Sequence, residues 1–235
     1  MYKLTGKGEQ IQKMFSTIAP RYDFLNRLLS LGIDRRWRRV AVRQIQCPPN
    51  GRVLDVATGT GDVALEIAAQ TPENVAITGI DFSAGMVEHG RTKIESSPHR
   101  ARISLQIAPC EDIPFPDDTF DAVTIAFGIR NVVDRELGLR EMRRVLKPGG
   151  RVVILEFSTP RSRLFRAAYN FYFHRMLPRI AGMFSQESAY RYLPESVMEF
   201  PPQEEFESLM TKAGFRAVTH RDLTFGISTI YVGRK

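Results

Sequence analysis

A chain of 235 residues, 43% apolar and 25% charged, can fill one ordinary core, which excludes a disordered or fibrous protein. Two cysteines and four scattered histidines, at positions 89, 99, 174 and 220, give neither a disulfide framework nor a metal-ligand spacing, so no metal is expected. The net charge of +7 leaves nucleic acid, anionic lipid and acidic substrates open as partners.

Residues 8–45 read as helix. Ile11, Phe15, Ile18, Leu25, Leu28 and Leu29 recur at helical spacing, with breaks expected around Pro20 and Gly32. This front end is basic: residues 1–50 hold ten Lys or Arg against Glu9, Asp23 and Asp34. Its first residues, Met-Tyr-Lys-Leu-Thr-Gly-Lys, lack the apolar core of a signal peptide. No apolar run approaches the roughly 18 residues that cross a bilayer. The expectation is a cytoplasmic protein.

Cys47-Pro-Pro-Asn-Gly51 is a turn, and strands and helices alternate after it, as in a parallel sheet built from strand–helix–strand units. Strands are expected at 53–56, 75–80, 103–107, 120–126 and 151–157. Helices are expected from 62 to about 70, from about 84 to 95, and through Leu137, Leu139, Met142 and Leu146. Lys147-Pro-Gly-Gly150 should stop the last of these. A helix near 203–213 then precedes two alternating runs, 215–223 and 227–232, that read as an antiparallel pair. The expected fold is a doubly wound, mostly parallel α/β sheet of seven strands. Within one domain, 1–50 would form a helical cap and 51–158 the cofactor-binding core. Residues 159–200 would be a helical insert over the acceptor site, and 201–235 the closing helix and strands.

The stretch Val53-Leu-Asp-Val-Ala-Thr-Gly-Thr-Gly-Asp62 carries the most chemistry. Gly59 and Gly61 have no Cβ to obstruct a ligand approaching the backbone at a helix start. The register Gly59-x-Gly61-x-x-Ala64, with Asp81 twenty residues after Gly61, also fits a dinucleotide fingerprint. The charges argue otherwise. Asp55 and Asp62 flank the turn, with no basic residue from Val53 to Val75. Two carboxylates oppose a pyrophosphate and suit the ammonium and sulfonium of S-adenosylmethionine. A helix cap is the alternative role for Asp62. Ligands of such sheets lie outside the carboxyl ends of the strands, so Asp81 is expected to accept the hydroxyl protons of a ribose. The run Cys110-Glu-Asp-Ile-Pro-Phe115 should lie over an adenine, although a solvated acidic loop explains Glu111 and Asp112 equally well.

At this point the chain resembles the class I S-adenosylmethionine-dependent methyltransferases. The carriers are the glycine turn, Asp81, Ile113-Pro-Phe-Pro-Asp-Asp-Thr-Phe-Asp121 and Leu146-Lys-Pro-Gly-Gly150. Further segments resemble the ubiquinone/menaquinone-biosynthesis C-methyltransferases. These are Phe15-Ser-Thr-Ile-Ala-Pro-Arg-Tyr-Asp23, Phe127-Gly-Ile-Arg-Asn131, Leu155-Glu-Phe-Ser158 and Tyr190-Arg-Tyr-Leu-Pro-Glu-Ser196. The resemblance implies S-adenosylmethionine contacts at Thr60, Asp81, Pro109 and Cys110, where proline at 109 removes an amide donor. It implies a polyprenyl quinol substrate, demethylmenaquinol foremost and a benzoquinol of ubiquinone synthesis second. Another phenolic or lipid acceptor, or a non-catalytic cofactor-binding module, are the alternatives.

Such a quinol must lose a phenolic proton, whose pKa resembles that of tyrosine at about 10. The loop at 127–131 follows the fourth strand and should face the cofactor's reactive end. Arg130 is expected to stabilise the developing phenolate and Asn131 to hydrogen-bond the quinol oxygens. Tyr22 and Asp23 are expected to close the site, with Asp23 a candidate base. Pairing of Arg130 with a carboxylate, and helix capping by Asp23, are the competing roles. Finally, residues 157–186 hold five arginines and no carboxylate, and Phe165, Tyr169, Tyr172, Phe173, Met176 and Leu177 recur at helical spacing. Arginines 161, 166 and 175 flank this stripe, which suits a polyprenyl tail or peripheral contact with an anionic membrane on its inner face. A core helix with a basic side is the alternative. The aromatics do not interleave with exposed basic loops, which argues against nucleic acid.

Overall fold

The computed structural model of the chain describes residues 6–160, 162, 165 and 187–235. The strands are β1 Arg52–Val56, β2 Ala76–Asp81, β3 Ile103–Ile107, β4 Phe120–Ala126, β5 Leu146–Phe157, β6 Arg216–Leu223 and β7 Ser228–Arg234. The helices are α1 Gly6–Leu29, α2 Ile33–Val42, α3 Asp62–Gln70, α4 Ala84–Glu95, α5 Arg135–Val145, α6 Glu187–Met198 and α7 Gln203–Lys212.

The strands form one sheet in the order β3-β2-β1-β4-β5-β7-β6. The pairings from β3 through β5 are parallel, and β7 pairs antiparallel with both β5 and β6. The expected doubly wound architecture is therefore the observed one. Strand periodicity sorts the core onto the two faces of the sheet. Leu54, Ile80, Val123, Ile125, Val152 and Ile154 pack with Leu139, Met142, Phe206 and Met210 of α5 and α7. Val53, Ile77 and Ile103 pack on the opposite side with Ala64, Ile67 and Ile94 of α3 and α4. Val153 and Leu155 turn toward Trp37 and Ala41 of α2. Each fully buried side chain of this size is worth about 1.5–3 kcal/mol, and the sheet presents such residues on both faces.

Two local expectations are corrected. Pro20 does not break the first helix: α1 runs through it from Gly6 to Leu29. Proline removes one helical hydrogen bond, but Asp23, which accepts from Thr60 and Lys93, holds the helix after it, and further tertiary anchors hold it before. Gln12 Nε2 donates to the Phe82 carbonyl at 2.5 Å, the Ser16 and Ser83 hydroxyls lie 2.9 Å apart, and Ile11, Phe15, Ile18 and Ala19 are buried around Met86. The helix ends instead at Leu29, and the break falls in the turn before α2, where Leu31 and Gly32 have left-handed φ of 52° and 76°. Likewise, Lys147-Pro-Gly-Gly150 ends α5 as expected but is not a turn. It forms the first part of β5, where Leu146 pairs with Phe120 across a register irregularity. Such bulged, edge-like positions tolerate proline and glycine.

The strand order places a topological switch between β1 and β4, because β2 and β3 lie to one side and β5 and β7 to the other. Crevices at such points receive ligands beyond the carboxyl ends of the strands. The turn after β1 and the loop after β4 meet there. They meet tightly: a Cβ built on Gly128 would lie 2.6 Å from the Cβ of Ala57. No described helix is long and apolar enough to cross a membrane. The expectations for the 161–179 stripe, including Arg161, Arg166, Tyr169, Tyr172, Phe173, Arg175, Met176 and Leu177, lie outside the described residues except at Phe165.

Candidate active site

The turn after β1 departs from ordinary backbone at once. Ala57 has φ 51°, Gly59 φ 56° and Gly61 φ 80°, a left-handed region that costs a residue bearing a Cβ roughly 1 kcal/mol. Hydrogen bonds hold the strain. Thr58 N–H donates to the Ile80 carbonyl at 2.9 Å, and the Thr58 hydroxyl donates to Asp55 Oδ2 at 2.6 Å. Above Gly59 the space is open: a Cβ there would meet only Tyr22 Cε1, at 3.9 Å. This is the cradle a small ligand needs.

Asp81, at the end of β2, ties two turns together. Its Oδ2 accepts the Gly59 N–H at 2.9 Å and its Oδ1 the Ser83 N–H at 2.8 Å. Each oxygen keeps a lone pair for a further donor. Burial pushes the Asp81 carboxyl up to about 6, against the two backbone hydrogen bonds. Asp55 sits beneath the turn, 1% exposed. Burial lifts it to about 7, with the Thr58 bond opposing and the charge of Asp81 adding to the shift.

Asp62 behaves differently from its neighbours. It does not cap α3, whose N-cap is Gly61 with no side-chain bond. Arg38 Nη1 donates to Asp62 Oδ2 at 2.8 Å, Lys93 Nζ bonds Oδ1, and Arg27 stands 4.0 Å away. These cations outweigh burial and hold the Asp62 carboxyl below its ordinary range. Its charge is spent within the protein, on α2 and α4. Lys93 also donates to Asp23 Oδ2 at 2.6 Å, and the Thr60 hydroxyl to Asp23 Oδ1 at 2.6 Å. A polar latch thus fastens α1 over the glycine turn.

Between these elements opens a cleft. Of the residues expected at the site, it brings together Gly59, Asp81, Cys110, Tyr22 and Asn131. Phe15, Phe82, Met86, Phe127 and Val132 complete an apolar wall. Asp55, Thr60 and Gly61 lie under or beside the turn, and Pro109 stands half-buried between two lining residues, Ala108 and Cys110. Asp23 and Arg130 are outside the lining, behind Tyr22 and Asn131 respectively. Burial pushes the Cys110 thiol well above its usual range, so it contributes shape as a neutral group. Burial also raises Tyr22, against the charge of Arg130 and a bond to Asn26. Tyr22 is therefore a hydroxyl donor and not a base.

Glu111 corrects the solvated-loop alternative. It is 7% exposed, lines the cleft, and accepts the N–H groups of Val133 at 3.0 Å and Asp134 at 3.4 Å. The carboxylate pins the 110–115 run to the loop leading into α5. On the β4 side, Phe127 has φ 57°, and the Tyr192 hydroxyl donates to Asn131 Oδ1 at 2.9 Å. This bond fixes the amide so that Asn131 Nδ2, with two protons, is its free face. Sequence reasoning missed Glu156, Tyr192, Lys93 and Arg38 as members of the site. Glu156 and Tyr192 lay within segments that carry the family resemblance, but no periodicity or spacing pointed to any of the four as members of the site.

Fold and cleft together define a class I S-adenosylmethionine-dependent methyltransferase. The open cradle above Gly59 and the spare lone pairs of Asp81 leave room and acceptors for such a cofactor, and the sheet is that of the methyltransferase fold. Comparison with known proteins agrees and narrows the assignment. The family model described as the ubiE/COQ5 methyltransferase family matches residues 3–235. The chain is 71% identical, over 100% of its length and 92% of the relative's, to the ubiquinone/menaquinone biosynthesis C-methyltransferase UbiE of Geobacter sulfurreducens. It is 49% identical to the demethylmenaquinone methyltransferase of Deinococcus radiodurans, over 97% of this chain and 94% of that one. Among solved structures, the cyclase SpnF superposes with a TM-score of 0.73 at 18% identity, covering 97% of this chain and 96% of that one; it shares the fold. The chain belongs to the ubiE/COQ5 methyltransferase family, and it is a C-methyltransferase that uses S-adenosylmethionine.

Proposed function

We propose that this enzyme methylates a ring carbon of a polyprenyl quinol, converting demethylmenaquinol to menaquinol, and that a benzoquinol of ubiquinone synthesis is a second acceptor. The names of its relatives support the acceptor class. The observation that carries the reading is the contrast between the two walls of one cleft. Polar Gly59 and Asp81 stand on one side. Aromatic and aliphatic Phe127, Val132 and Val133 stand on the other, broken by the amide of Asn131. A flat apolar ring with one or two hydroxyls suits the second wall.

S-adenosylmethionine, when bound, supplies an electrophilic methyl group on a sulfonium. Asp81 would receive the ribose hydroxyls on its two free lone pairs. The backbone of Gly59 and Gly61, Thr60, and the 109–110 segment would enclose the remainder, with Asp55 supporting the turn from below. On the acceptor side, Asn131 Nδ2 would donate to the quinol oxygen as its proton passes to solvent, which favours the phenolate and makes the ring carbon nucleophilic. That carbon would take the methyl group, the sulfur would leave as a thioether, and the ring proton would follow to solvent. The Tyr22 hydroxyl offers a second donor from α1. Asp23 closes the site through Thr60 and Lys93, and Arg130 supports the 127–131 loop from behind. The rest of the catalysis is orientation, since a ring held at near-attack distance reacts as if at very high concentration.

The apolar tail and the basic insert belong to a membrane surface in this proposal. Arg161, Arg166 and Arg175 would meet anionic headgroups at about 1 kcal/mol each, keeping an otherwise cytoplasmic enzyme at the inner face of the cell membrane. Beside this run, Phe225 is 67% exposed and its ring stacks on Phe165 at 4.1 Å. The purified enzyme, given labelled S-adenosylmethionine and each demethylated quinol in turn, should label the naphthoquinol faster than the benzoquinol. Labelling of neither, with another phenol accepted, would overturn the acceptor assignment. Replacing Arg161 and Arg166 with Glu should weaken sedimentation with anionic liposomes at low salt at least threefold. Unchanged sedimentation would remove the insert from the membrane contact.

A further inference from the structure

Glu156 lies near the end of β5 and is fully buried, with 0% exposure. Among the described residues, every hydrogen bond its carboxylate accepts but one comes from a single residue of the acceptor loop. Oε1 accepts from Arg130 Nη1 at 2.8 Å and Oε2 from the Arg130 backbone N–H at 3.2 Å; the remaining donor is the Phe157 N–H, at 2.8 Å. Arg130 Nη1 also donates to the Phe127 carbonyl at 2.6 Å, and Nε to the Ser196 hydroxyl of α6 at 3.4 Å. The guanidinium lies over the Phe157 ring, 5.4 Å from its centroid. Phe127 is the left-handed residue of this loop.

Resting on the quinol reading above, we infer that Glu156 and Arg130 form a positioning pair for methyl transfer. Glu156 fixes Arg130 at both its backbone and its side chain. Arg130 in turn holds the Phe127 carbonyl in the strained conformation that aims Asn131 into the cleft. Through Ser196 the pair also sets α6, whose Tyr192 orients the Asn131 amide. Neither charge lines the cleft, so the pair acts by placing other groups. A buried ion pair gives little net stability compared with an apolar pair of the same volume, so stability alone does not account for this one.

Two variants and two readouts test the inference. Glu156→Gln should lower kcat at least tenfold while the dissociation constant for S-adenosylmethionine stays within about twofold. The double variant Glu156→Met with Arg130→Met removes both charges and should melt within a few degrees of the wild type, yet remain as slow as the single variant. A double variant that regained turnover to within threefold of the wild type would overturn the inference, because the pair would then be only structural. So would a Glu156→Gln enzyme of normal kcat. The second readout needs no acceptor. Trp37 is the single tryptophan of the chain, and its ring lies 6.2 Å from that of Phe127. Its emission should shift in Glu156→Gln, and an unchanged spectrum counts against a displaced loop. If the wild type methylates no quinol but Trp37 emission shifts, the acceptor assignment fails and the positioning pair stands.

Discussion

The turn after β1 and the loop after β4 are built alike but charged in opposite ways. Both leave a parallel strand through a left-handed residue, Ala57 in one and Phe127 in the other, and both reach the same cleft. On the cofactor side, Asp81 faces the cleft with lone pairs to spare, and burial raises its carboxyl and that of Asp55. On the acceptor side, the charged side chain of Arg130 is turned inward and satisfied by Glu156, and a neutral amide faces the cleft. The difference fits the ligands proposed for each half. A cationic cofactor would be met by the carboxylate of Asp81, whereas an apolar ring would be hindered by an open charge that first had to be desolvated.

Removing a facing group should do the most damage on the cofactor side. Asp81→Ala deletes the ribose acceptors and releases the Gly59 and Ser83 amides, and charge-assisted bonds are worth about 1.5–3 kcal/mol each. Titration calorimetry should show affinity for S-adenosylmethionine falling by about 100-fold or more; near-normal affinity would remove Asp81 from the cofactor. Asn131→Ala should reverse the pattern. Its kcat should fall at least tenfold with cofactor affinity almost unchanged, and equal losses in both would erase the distinction between the walls.

A smaller effect separates folding from binding on the cofactor side alone. Asp81 and Asp55 carry folded values near 6 and 7 against an ordinary 3.8, so the fold binds their protons more tightly than the unfolded chain does. Their cost to stability is fully present above about pH 7 and is relieved as pH falls toward 4. Cofactor binding runs the other way, because the carboxylate form of Asp81 is the acceptor. Affinity at pH 5 should be about tenfold weaker than at pH 8, while the contribution of these two groups to melting temperature rises. Affinity independent of pH over this range would mean that Asp81 is not the titrating acceptor.

Much of the fold was legible because its signals are local. The period-two strands, the helix at 84–95 and the glycine turn each declare themselves within a dozen residues. The exceptions were places where distant contacts overrode a local breaker: Pro20, carried by the packing of α1 on α4, and Pro148, absorbed into a bulged strand. In the site, Gly59, Asp81, Cys110 and Asn131 could be read from turns and strand ends, and Tyr22 from the family resemblance of the front helix. The fate of the charges could not. The stretch around Asp62 contains no basic residue, yet Arg38 and Lys93 reach it from 24 and 31 residues away. Arg130, in the loop after β4, meets Glu156 of the adjacent β5 across 26 residues, a meeting only the sheet reveals. Glu111 looked like a solvated acid because its partners, the amides of 133 and 134, belong to another loop.

The contact between Gly128 and Ala57 bears on how such an enzyme could change its choice of ring. With no room for even one more carbon between the two loops, donor and acceptor walls are mechanically a single part. A larger residue at either position would push both walls at once, so a change of ring made here would also disturb the side that holds the methyl donor.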